Sequence, residues 1–144
     1  MSNKFIANGF STILPVGWLD RSLISFIKPS LASDFATNVV VLRDEVATNT
    51  NVEDYAREQI TDMQPHLESF ELLDERSAVI QEKPAFQTLQ RFVANGKMLQ
   101  QTQTYVLSGK TIFAFTCTAL IEEFDAMIPD FREIMDNLSL DGER

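Results

Sequence analysis

The sequence predicts an α+β fold, with an antiparallel β-sheet flanked by helices, as a single domain over residues 1–144. Several segments are rich in β-branched and aromatic residues, which is typical of strands. Short turn signals separate consecutive segments of this kind, and two other segments place apolar residues at helical spacing. Because short turns join antiparallel neighbours, we expect an antiparallel sheet.

The first predicted element is a short strand that ends at a compact turn. It is expected to run into Leu14 and Pro15 and to turn at Val16 and Gly17. Proline fixes φ and lacks an N–H, and glycine tolerates positive φ, so both suit a turn. Trp18, the only tryptophan, follows directly. We expect its large ring to cover one end of the core.

Two strands are predicted next, at residues 22–27 and 38–43. Both are apolar runs without the polar residue at every second position that a half-exposed strand would carry. Both of their faces are therefore expected to be covered. The cover is either the helices of the same chain, or a second copy in a homodimer, or a bound apolar segment.

The first helix is predicted to follow the polar residues 48–51. Asn51 or Thr50 can cap its N-terminus, and two acidic residues occupy the first turn, where the helix dipole favours negative charge. It is expected to end near Pro65, or one turn later at Leu67. One face would carry Val52, Tyr55, Ala56, Gln59, Ile60 and Met63.

Four strands are predicted in succession after this helix. Asn95-Gly96 and Ser108-Gly109 are strong hairpin turns. The strands cover residues 70–80, 85–93, 99–107 and 111–119. Alternation in the last strand places Phe113, Phe115 and Cys117 on one face and Ile112, Ala114, Thr116 and Thr118 on the other.

The C-terminal segment predicts an amphipathic helix. Pro129 is expected to start or kink its second part, because proline removes a helix hydrogen bond. The opposite side carries mostly acidic residues. The apolar side would carry Phe124, Met127, Ile128, Phe131, Ile134, Met135 and Leu138.

Composition and charge narrow the class of protein. The 144 residues are 44% hydrophobic, as in an ordinary globular domain, and eleven phenylalanines predict an aromatic-rich core. A net charge of −9 argues against binding nucleic acid, because phosphate contacts need clustered Lys and Arg. The N-terminal stretch lacks the apolar core of a signal peptide, and no run is long enough to cross a bilayer. We expect a cytoplasmic protein without stable membrane insertion.

The residues that carry chemistry do not form a recognisable catalytic set. Cys117, the only cysteine, lies in an apolar strand pattern and is expected to be a buried, inert thiol. His66, the only histidine, is expected at a helix end, without the neighbours a metal site needs. Asp20 is expected to pair with Arg21 or Arg43 as a structural ion pair. We therefore expect no enzymatic activity, no cofactor and no bound metal.

A series of short motifs runs along nearly the whole chain. The motifs are Leu14-Pro15-x-x-Trp18-x-Asp20-x-Ser22, Phe26, residues 38–44, Tyr55-Ala56 and Gln59, residues 67–73, Lys83-Pro84-Ala85, residues 96–101 and Thr116-x-Thr118-Ala119. In this order and at these distances they resemble the DcrB-like group of the PsbP-like superfamily, which includes the effector-associated (Eag) chaperones of bacterial type VI secretion. A glycine often precedes the Pro84-Ala85 pair by two residues in that group, where this chain has Glu82.

The resemblance implies a function that the residue patterns alone do not. Eag chaperones are homodimers whose concave apolar surface holds the membrane-inserting N-terminal helices of a secreted effector and keeps them soluble for loading onto the secretion spike. A PsbP-like assembly or structural factor that binds a folded protein surface is the alternative. Mapped through the Trp18, Asp20, Ser22 and Arg43-Asp44 motifs, the client-binding positions would be Leu23, Ile24, Ser25, Val40 and Leu42.

Overall fold

The computed structural model describes residues 3–7, 9–30 and 34–140. Within these ranges, eight strands and two helices follow one another, with a short 3₁₀ turn at Gln64–His66 after the first helix. The elements are β1 (Asn3–Ala7), β2 (Phe10–Leu14), β3 (Leu23–Lys28), β4 (Thr37–Glu45), α1 (Val52–Met63), β5 (Glu68–Ile80), β6 (Lys83–Ala94), β7 (Lys97–Ser108), β8 (Thr111–Leu120) and α2 (Ile121–Asp136).

Strands β3 to β8 form one antiparallel sheet in the order β3-β4-β8-β7-β6-β5. β1 and β2 form a separate antiparallel hairpin, of which the sequence predicted only the second strand. With helices beside the sheet, the predicted α+β class is confirmed. Most neighbouring strands of this sheet are also consecutive in the sequence. The exception is β4, which pairs with β8, so that strands β5–β7 lie between the two partners in the sequence. β3 and β5 are the two edge strands.

The two helices pack on opposite faces of the sheet. One face, called the α1 face below, packs α1 through Val52 and Ala56 against Phe86, Tyr105 and Ile112. The other face, called the α2 face, packs Phe124 and Phe131 of α2 against residues including Val39, Cys117 and Ala119. The predicted alternation of β8 is confirmed, since Ile112 and Ala114 lie under α1 while Phe115 and Cys117 belong to the cores of the α2 face.

Local signals in the sequence explain most element ends. The side chain of Asn51 caps α1 by accepting a hydrogen bond of 3.0 Å from the amide of Asp54, as predicted. Asn95 and Gly96 both have positive φ, 51° and 76°, which is the conformation of a tight two-residue hairpin turn. Gln81 and Glu82 form the equivalent turn between β5 and β6 with positive φ of 52° and 65°, although neither is glycine.

The prediction for Trp18 is wrong. The turn at Val16 and Gly17 forms as expected, and the amide of Trp18 donates to the carbonyl of Pro15 over 3.2 Å. However, the Trp18 residue is 64% exposed and covers no core. Trp18 follows a hairpin that is not part of the main sheet. A large apolar side chain is not necessarily buried, so the size of the ring does not predict its burial.

For Pro129 the sequence predicted either the start of a second helical part or a kink; the first alternative is wrong, and the kink stays a prediction. α2 runs through Pro129 as one helix from Ile121 to Asp136. Phe124 and Phe131, on either side of the proline, are both buried in one cluster, with ring centroids 5.7 Å apart. Packing on both sides of Pro129 offsets the hydrogen bond that the proline removes.

Candidate functional site

Four of the five predicted site residues lie together on the α1 face. Leu23 of β3 is directly opposite Leu42 of β4, and Ser25 is directly opposite Val40, so all four side chains point to the same side of the sheet. We call these four residues the β3–β4 stripe. Leu23 is 58% exposed and Leu42 is 40% exposed, whereas Val40 is half-buried. The stripe is therefore an apolar strip open to solvent.

Ile24 does not belong to this stripe. It is directly opposite Val41, whose side chain packs into the clusters of the α2 face, so Ile24 points to the other side of the sheet. There it lines a pocket of about 340 Å³ together with Phe5 of the hairpin and Phe113. Neighbouring residues of a strand point to opposite faces, so Ile24 cannot share a surface with Leu23 and Ser25.

The helices leave the stripe open because they pack over other strands. α1 contacts mainly β6 and β7, and α2 contacts mainly β7 and β8. All six residues of β3 are exposed, and Phe26 and Ile27 are more than half exposed. Cover by helices of the same chain, one of the alternatives that the sequence left open, is thus not provided for β3 by the part of the chain that the structure describes.

A row of glutamines on β6 and β7 lies on the α1 face, separated from the stripe by β8. The Gln90 amide donates to both Gln101 and Gln103, each over 2.9 Å, and Gln103 accepts a further bond from the hydroxyl of Tyr105. Gln101 and Gln103 in turn donate to Thr118 and Thr116 of β8. Thr116 is directly opposite Val40 of the stripe. We call Gln90, Gln101 and Gln103 the amide row.

One member of the amide row has an unused acceptor. Gln90 is fully buried, and its side-chain oxygen has no hydrogen-bond partner among the described residues. A buried carbonyl without a partner costs about 1–3 kcal/mol, so such groups usually serve a ligand, a water or a specific fold. The row therefore places a polar network on the same face as the apolar strip, with β8 between them, an arrangement that sequence reasoning missed. Its signal was the unbroken polar run at residues 100–104 of β7.

The motif that precedes β3 is held in place by Asp20. The Ser22 hydroxyl and amide donate to Asp20 over 2.5 and 2.9 Å, and the Arg43 guanidinium lies 3.3 Å from the other carboxylate oxygen. These hydrogen bonds from Ser22, with the charge of Arg43, lower the pKa of Asp20 below its usual value. The predicted ion pair of Asp20 is thus formed with Arg43, and it fixes the start of β3.

A second set of contacts ties β4 to α1. The Tyr55 hydroxyl donates to Asp44 over 2.7 Å, and Arg21 lies 3.5 Å from the same carboxylate. Burial, followed by the bond to Asp44, raises the pKa of Tyr55 well above its usual value, so the phenol stays protonated and acts as a donor. The residues Asp20, Arg43, Asp44 and Tyr55 of the sequence motifs therefore position the stripe.

A larger cavity of about 650 Å³ lies on the α2 face, between α2 and strands β5–β8. Its wall includes Cys117, whose pKa burial raises to about 12, so its thiol is protonated and a poor nucleophile. Asp74 and Arg76, also in the wall, are already paired with each other over 2.5 Å. The arrangement does not place an activated nucleophile beside a base.

Metal-binding clusters and membrane-spanning helices are both absent from residues 3–7, 9–30 and 34–140. In these ranges no three His, Cys, Asp or Glu residues lie close enough together to hold a metal ion. No helix within them has the length and apolar character needed to span a bilayer. His66 lies exposed in the 3₁₀ turn, as expected for a helix-end histidine.

Comparison with solved structures places this fold in a known class. A protein of unknown function from Pseudomonas aeruginosa, PA94, superimposes with a TM-score of 0.81 at 18% identity over 96% of each chain. PsbP (CyanoP) from the cyanobacterium Synechocystis gives 0.55 at 10% identity, over 94% of this chain and 87% of that one. The fold is therefore PsbP-like, an assignment of architecture and not of activity.

The family follows from the sequence itself. The profile of the DcrB family matches residues 11–137, which is most of the chain. The protein belongs to the DcrB family. LpqN from Mycobacterium tuberculosis, described as involved in cell envelope biogenesis, has a similar fold, with a TM-score of 0.55 at 14% identity over 82% of this chain and 83% of that one. No match was found among curated protein sequences.

Proposed function

We propose that this protein is a chaperone or adaptor of the Eag type, which binds apolar, transmembrane-type helices at the N-terminus of a type VI secretion effector. It keeps the effector soluble until it is loaded onto the secretion spike. The observation that carries the proposal is the exposed β3–β4 stripe, Leu23, Ser25, Val40 and Leu42, on the α1 face. The compartment we propose is the cytoplasm, where such an effector would be met before export.

The stripe suits an apolar helix for a simple energetic reason. A transmembrane-type helix in water exposes apolar side chains along its whole length, and covering them contributes about 25 cal/mol for each Å² buried. The same contact would remove the side chains of Leu23 and Leu42 from water, because both are exposed when no client is bound. Exposed apolar patches of this kind mark interaction sites on soluble proteins.

The amide row would help to orient a bound helix through Gln101. Gln101 is half-buried and lies on the same face as the stripe, whereas Gln90 is fully buried and out of reach of a docked helix. A client helix that brings a hydroxyl-bearing residue to Gln101 would donate a hydrogen bond to its amide oxygen. Polar groups placed within an apolar site fix the pose and select among ligands.

The alternative is a PsbP-like assembly or structural factor that binds a folded protein surface and is not an enzyme. Gene neighbourhood separates the two functions at little cost. An adjacent gene for a large effector with two apolar N-terminal segments is expected for the chaperone. The lack of such a gene, together with the lack of secretion genes, would favour the assembly factor.

The proposed binding surface is tested by Leu23→Gln and Val40→Gln. Each places an amide against the client helix without an assured partner, which costs about 1–3 kcal/mol and lowers affinity roughly ten- to a hundredfold. Co-purification with the N-terminal region of a candidate effector measures binding, and thermal melting measures folding. We expect both variants to lose the client, and Leu23→Gln to melt like the parent because Leu23 is exposed.

Val79→Gln is the matched control. It changes an exposed apolar residue of an edge strand in the same way, but on β5, the opposite edge of the sheet. We expect Val79→Gln to retain the client. If Leu23→Gln folds and binds the client as well as Val79→Gln does, the binding surface is elsewhere. If Val40→Gln unfolds early, Val40 serves the core, and Leu23→Gln and Leu42→Gln decide the assignment.

A homodimer is part of the proposal, because β3 and the stripe beside it have no cover within the described chain. Light scattering of the purified protein at micromolar concentration is expected to give about twice the chain mass of 16.3 kDa. A monomer at every concentration would contradict the homodimer. It would leave client binding to be judged by the glutamine variants.

A further inference from the structure

We propose that two copies of this chain pair antiparallel along the free edge of β3, about a two-fold axis that passes through Ser25. The pairing would join the two six-stranded sheets into one continuous sheet. The inference rests on the homodimer of the proposed function for the number of copies, but not on the client. Its starting point is that β3 hydrogen-bonds to β4 on one side and, among the described strands, to none on the other.

The free side of β3 is a row of backbone N–H and C=O groups next to apolar side chains. Leu23 and Ile27 point to the α1 face, and Ile24 and Phe26 point to the α2 face. All four are between 41% and 63% exposed. An exposed, regular, apolar edge of this kind pairs readily with another strand, and proteins that stay unpaired protect such edges with charges, bulges or proline.

The sequence of β3 matches its own reverse when Ser25 lies on the axis. A two-fold axis perpendicular to the sheet keeps the α1 faces of both copies on one side. Leu23 then lies opposite Ile27 of the second copy, and Ile24 lies opposite Phe26. Aliphatic and aromatic pairs of this kind stabilise neighbouring strands. Ser25, the smallest side chain of the strand, meets itself.

Charge also favours a second copy at this edge. The chain carries a net charge of −9, so two copies repel each other over most of their surfaces. β3 itself has no acidic residue, and its only charged residue, Lys28, pairs with Asp130 of α2 over 2.9 Å. Two acidic proteins can therefore approach along β3 without bringing carboxylates of the paired strands together.

The size of the contact indicates which residues join it. Specific dimers bury about 1,200–2,000 Å² in total, and a pair of six-residue strands is short for that. Trp18 and Leu19, just before β3, are 64% and 71% exposed. We infer that this segment packs against the second copy beside the paired strands.

Pairing at this edge would also create the surface that the proposed function needs. The stripes of the two copies would lie side by side across four strands, β4 and β3 of each copy. At a strand spacing of about 4.8 Å, these four strands span about 15 Å. Two helices pack about 8–10 Å apart, so the joined stripes are wide enough for a helix pair. α1 of each copy would border this surface.

The test is disulfide cross-linking of the purified protein under mild oxidation, read on a non-reducing gel. Directly opposite residues of antiparallel strands have Cα atoms about 4.5–5.5 Å apart, which a disulfide can span. We expect Ser25→Cys to form a covalent dimer nearly completely. The native Cys117 is 3% exposed, so the parent protein is expected to form none.

Val79→Cys is the matched control, because Val79 is 74% exposed on β5, the opposite edge. It is expected to stay monomeric on the gel. The register is tested by mixing Leu23→Cys with Ile27→Cys, which should cross-link together but not separately. Covalent dimers of Val79→Cys as abundant as those of Ser25→Cys would overturn the proposal.

Two other outcomes would overturn the proposed pairing along β3 without contradicting the proposed function. If the parent is a dimer in solution but neither Ser25→Cys nor the mixture cross-links, the two copies contact each other at another surface. Client binding is then tested by the glutamine variants alone. If Phe26→Cys cross-links completely and Ser25→Cys does not, the axis does not pass through Ser25 and the proposed register is wrong.

Discussion

The two outer strands of the six-stranded sheet, β3 and β5, differ in length, charge and regularity. β3 has six residues, of which Lys28 is the only charged one, and its pairing with β4 keeps one register from Leu23 to Lys28. β5 has thirteen residues, and its pairing with β6 shifts register twice, at residues 68–71 and 72–74. It carries Glu68, Glu71, Asp74, Glu75 and Arg76.

This difference indicates which edge strand is protected against pairing with another strand. Charged side chains and bulges on an edge strand discourage another strand from pairing with it, and β5 has both. Its residue Ser69 even adopts a positive φ of 55° within the first irregular stretch. β3 has neither form of protection, although its apolar side chains are exposed. We therefore expect partners at β3 and not at β5.

The largest expected effect comes from placing a charge on the unprotected edge. Ile27→Asp puts a carboxylate, which would need to be desolvated, opposite Leu23 of the second copy. Burying an unpaired charge costs several kcal/mol, so we expect dimerisation to weaken at least about a hundredfold. Light scattering across a concentration series measures the change.

Val79→Asp on β5 is the control for this prediction. Val79 is 74% exposed, and Ile27 is 63% exposed, so neither substitution removes a core contact. We expect Val79→Asp to leave the dimer unchanged. If Ile27→Asp has no more effect than Val79→Asp, the two edges do not differ in their tendency to pair.

A smaller effect is expected from the ion pair that fixes the start of β3. Asp20→Ala removes the bonds from Ser22 and the pair with Arg43, and we expect it to lower the free energy of unfolding by less than about 1 kcal/mol at neutral pH. Because folding lowers the pKa of Asp20, its contribution is present above its unfolded pKa and is lost as pH falls through the folded value.

The pH dependence is the sharper part of that prediction. The difference in melting temperature between Asp20→Ala and the parent should shrink below about pH 4, where the unfolded chain takes up the proton first and the folded carboxylate, with its lowered pKa, follows at lower pH. Asp74→Ala, which removes the pair of Asp74 with Arg76 within β5, is the comparison. It should leave dimerisation unchanged, whereas Asp20→Ala should weaken it by loosening β3. Equal effects of the two variants on dimerisation would contradict the positioning role of Asp20.

The smallest expected effect concerns the turn that leads out of β5. Glu82 has a φ of 65°, a conformation that costs a residue with a side chain about 1 kcal/mol and glycine almost nothing. We expect Glu82→Gly to raise the free energy of unfolding by a few tenths to about 1 kcal/mol, part of the gain being lost to the more flexible unfolded chain. Denaturant unfolding measures it.

Gln81→Gly is the control at the neighbouring residue. Gln81 has a similar φ of 52°, but its side chain donates to the carbonyl of Leu138 over 2.7 Å and accepts from the amide of Leu140. Glycine would lose both bonds, so we expect Gln81→Gly to destabilise the protein. A gain in stability from both variants would show that backbone strain alone decides this turn.

Most of the sheet could be predicted from the sequence because its signals are local. Period-two alternation defined β8, and Asn95-Gly96 defined the turn between β6 and β7. β1 was missed, since five residues without a turn signal before them carry little information. The burial of Trp18 was mispredicted, and Pro129 does not start a new helical segment, because the position of an aromatic ring and the tolerance of a helix for proline depend on packing with distant residues.

The candidate site was predictable only in part for the same reason. Resemblance to a family supplied Leu23, Ser25, Val40 and Leu42, but only the register of β3 with β4 shows that they share one face. Alternation within β3 could already have separated Ile24 from Leu23. The amide row depends on pairing between β6, β7 and β8, which residue spacing along one strand does not reveal.

The exposure of Trp18 has a practical consequence. As the only tryptophan, it makes the intrinsic fluorescence of the protein a signal from a single place, beside the start of β3. An indole in contact with water emits at longer wavelength than one surrounded by apolar groups. The protein therefore carries its own optical probe, whose emission wavelength reports whether another molecule covers the segment that precedes β3.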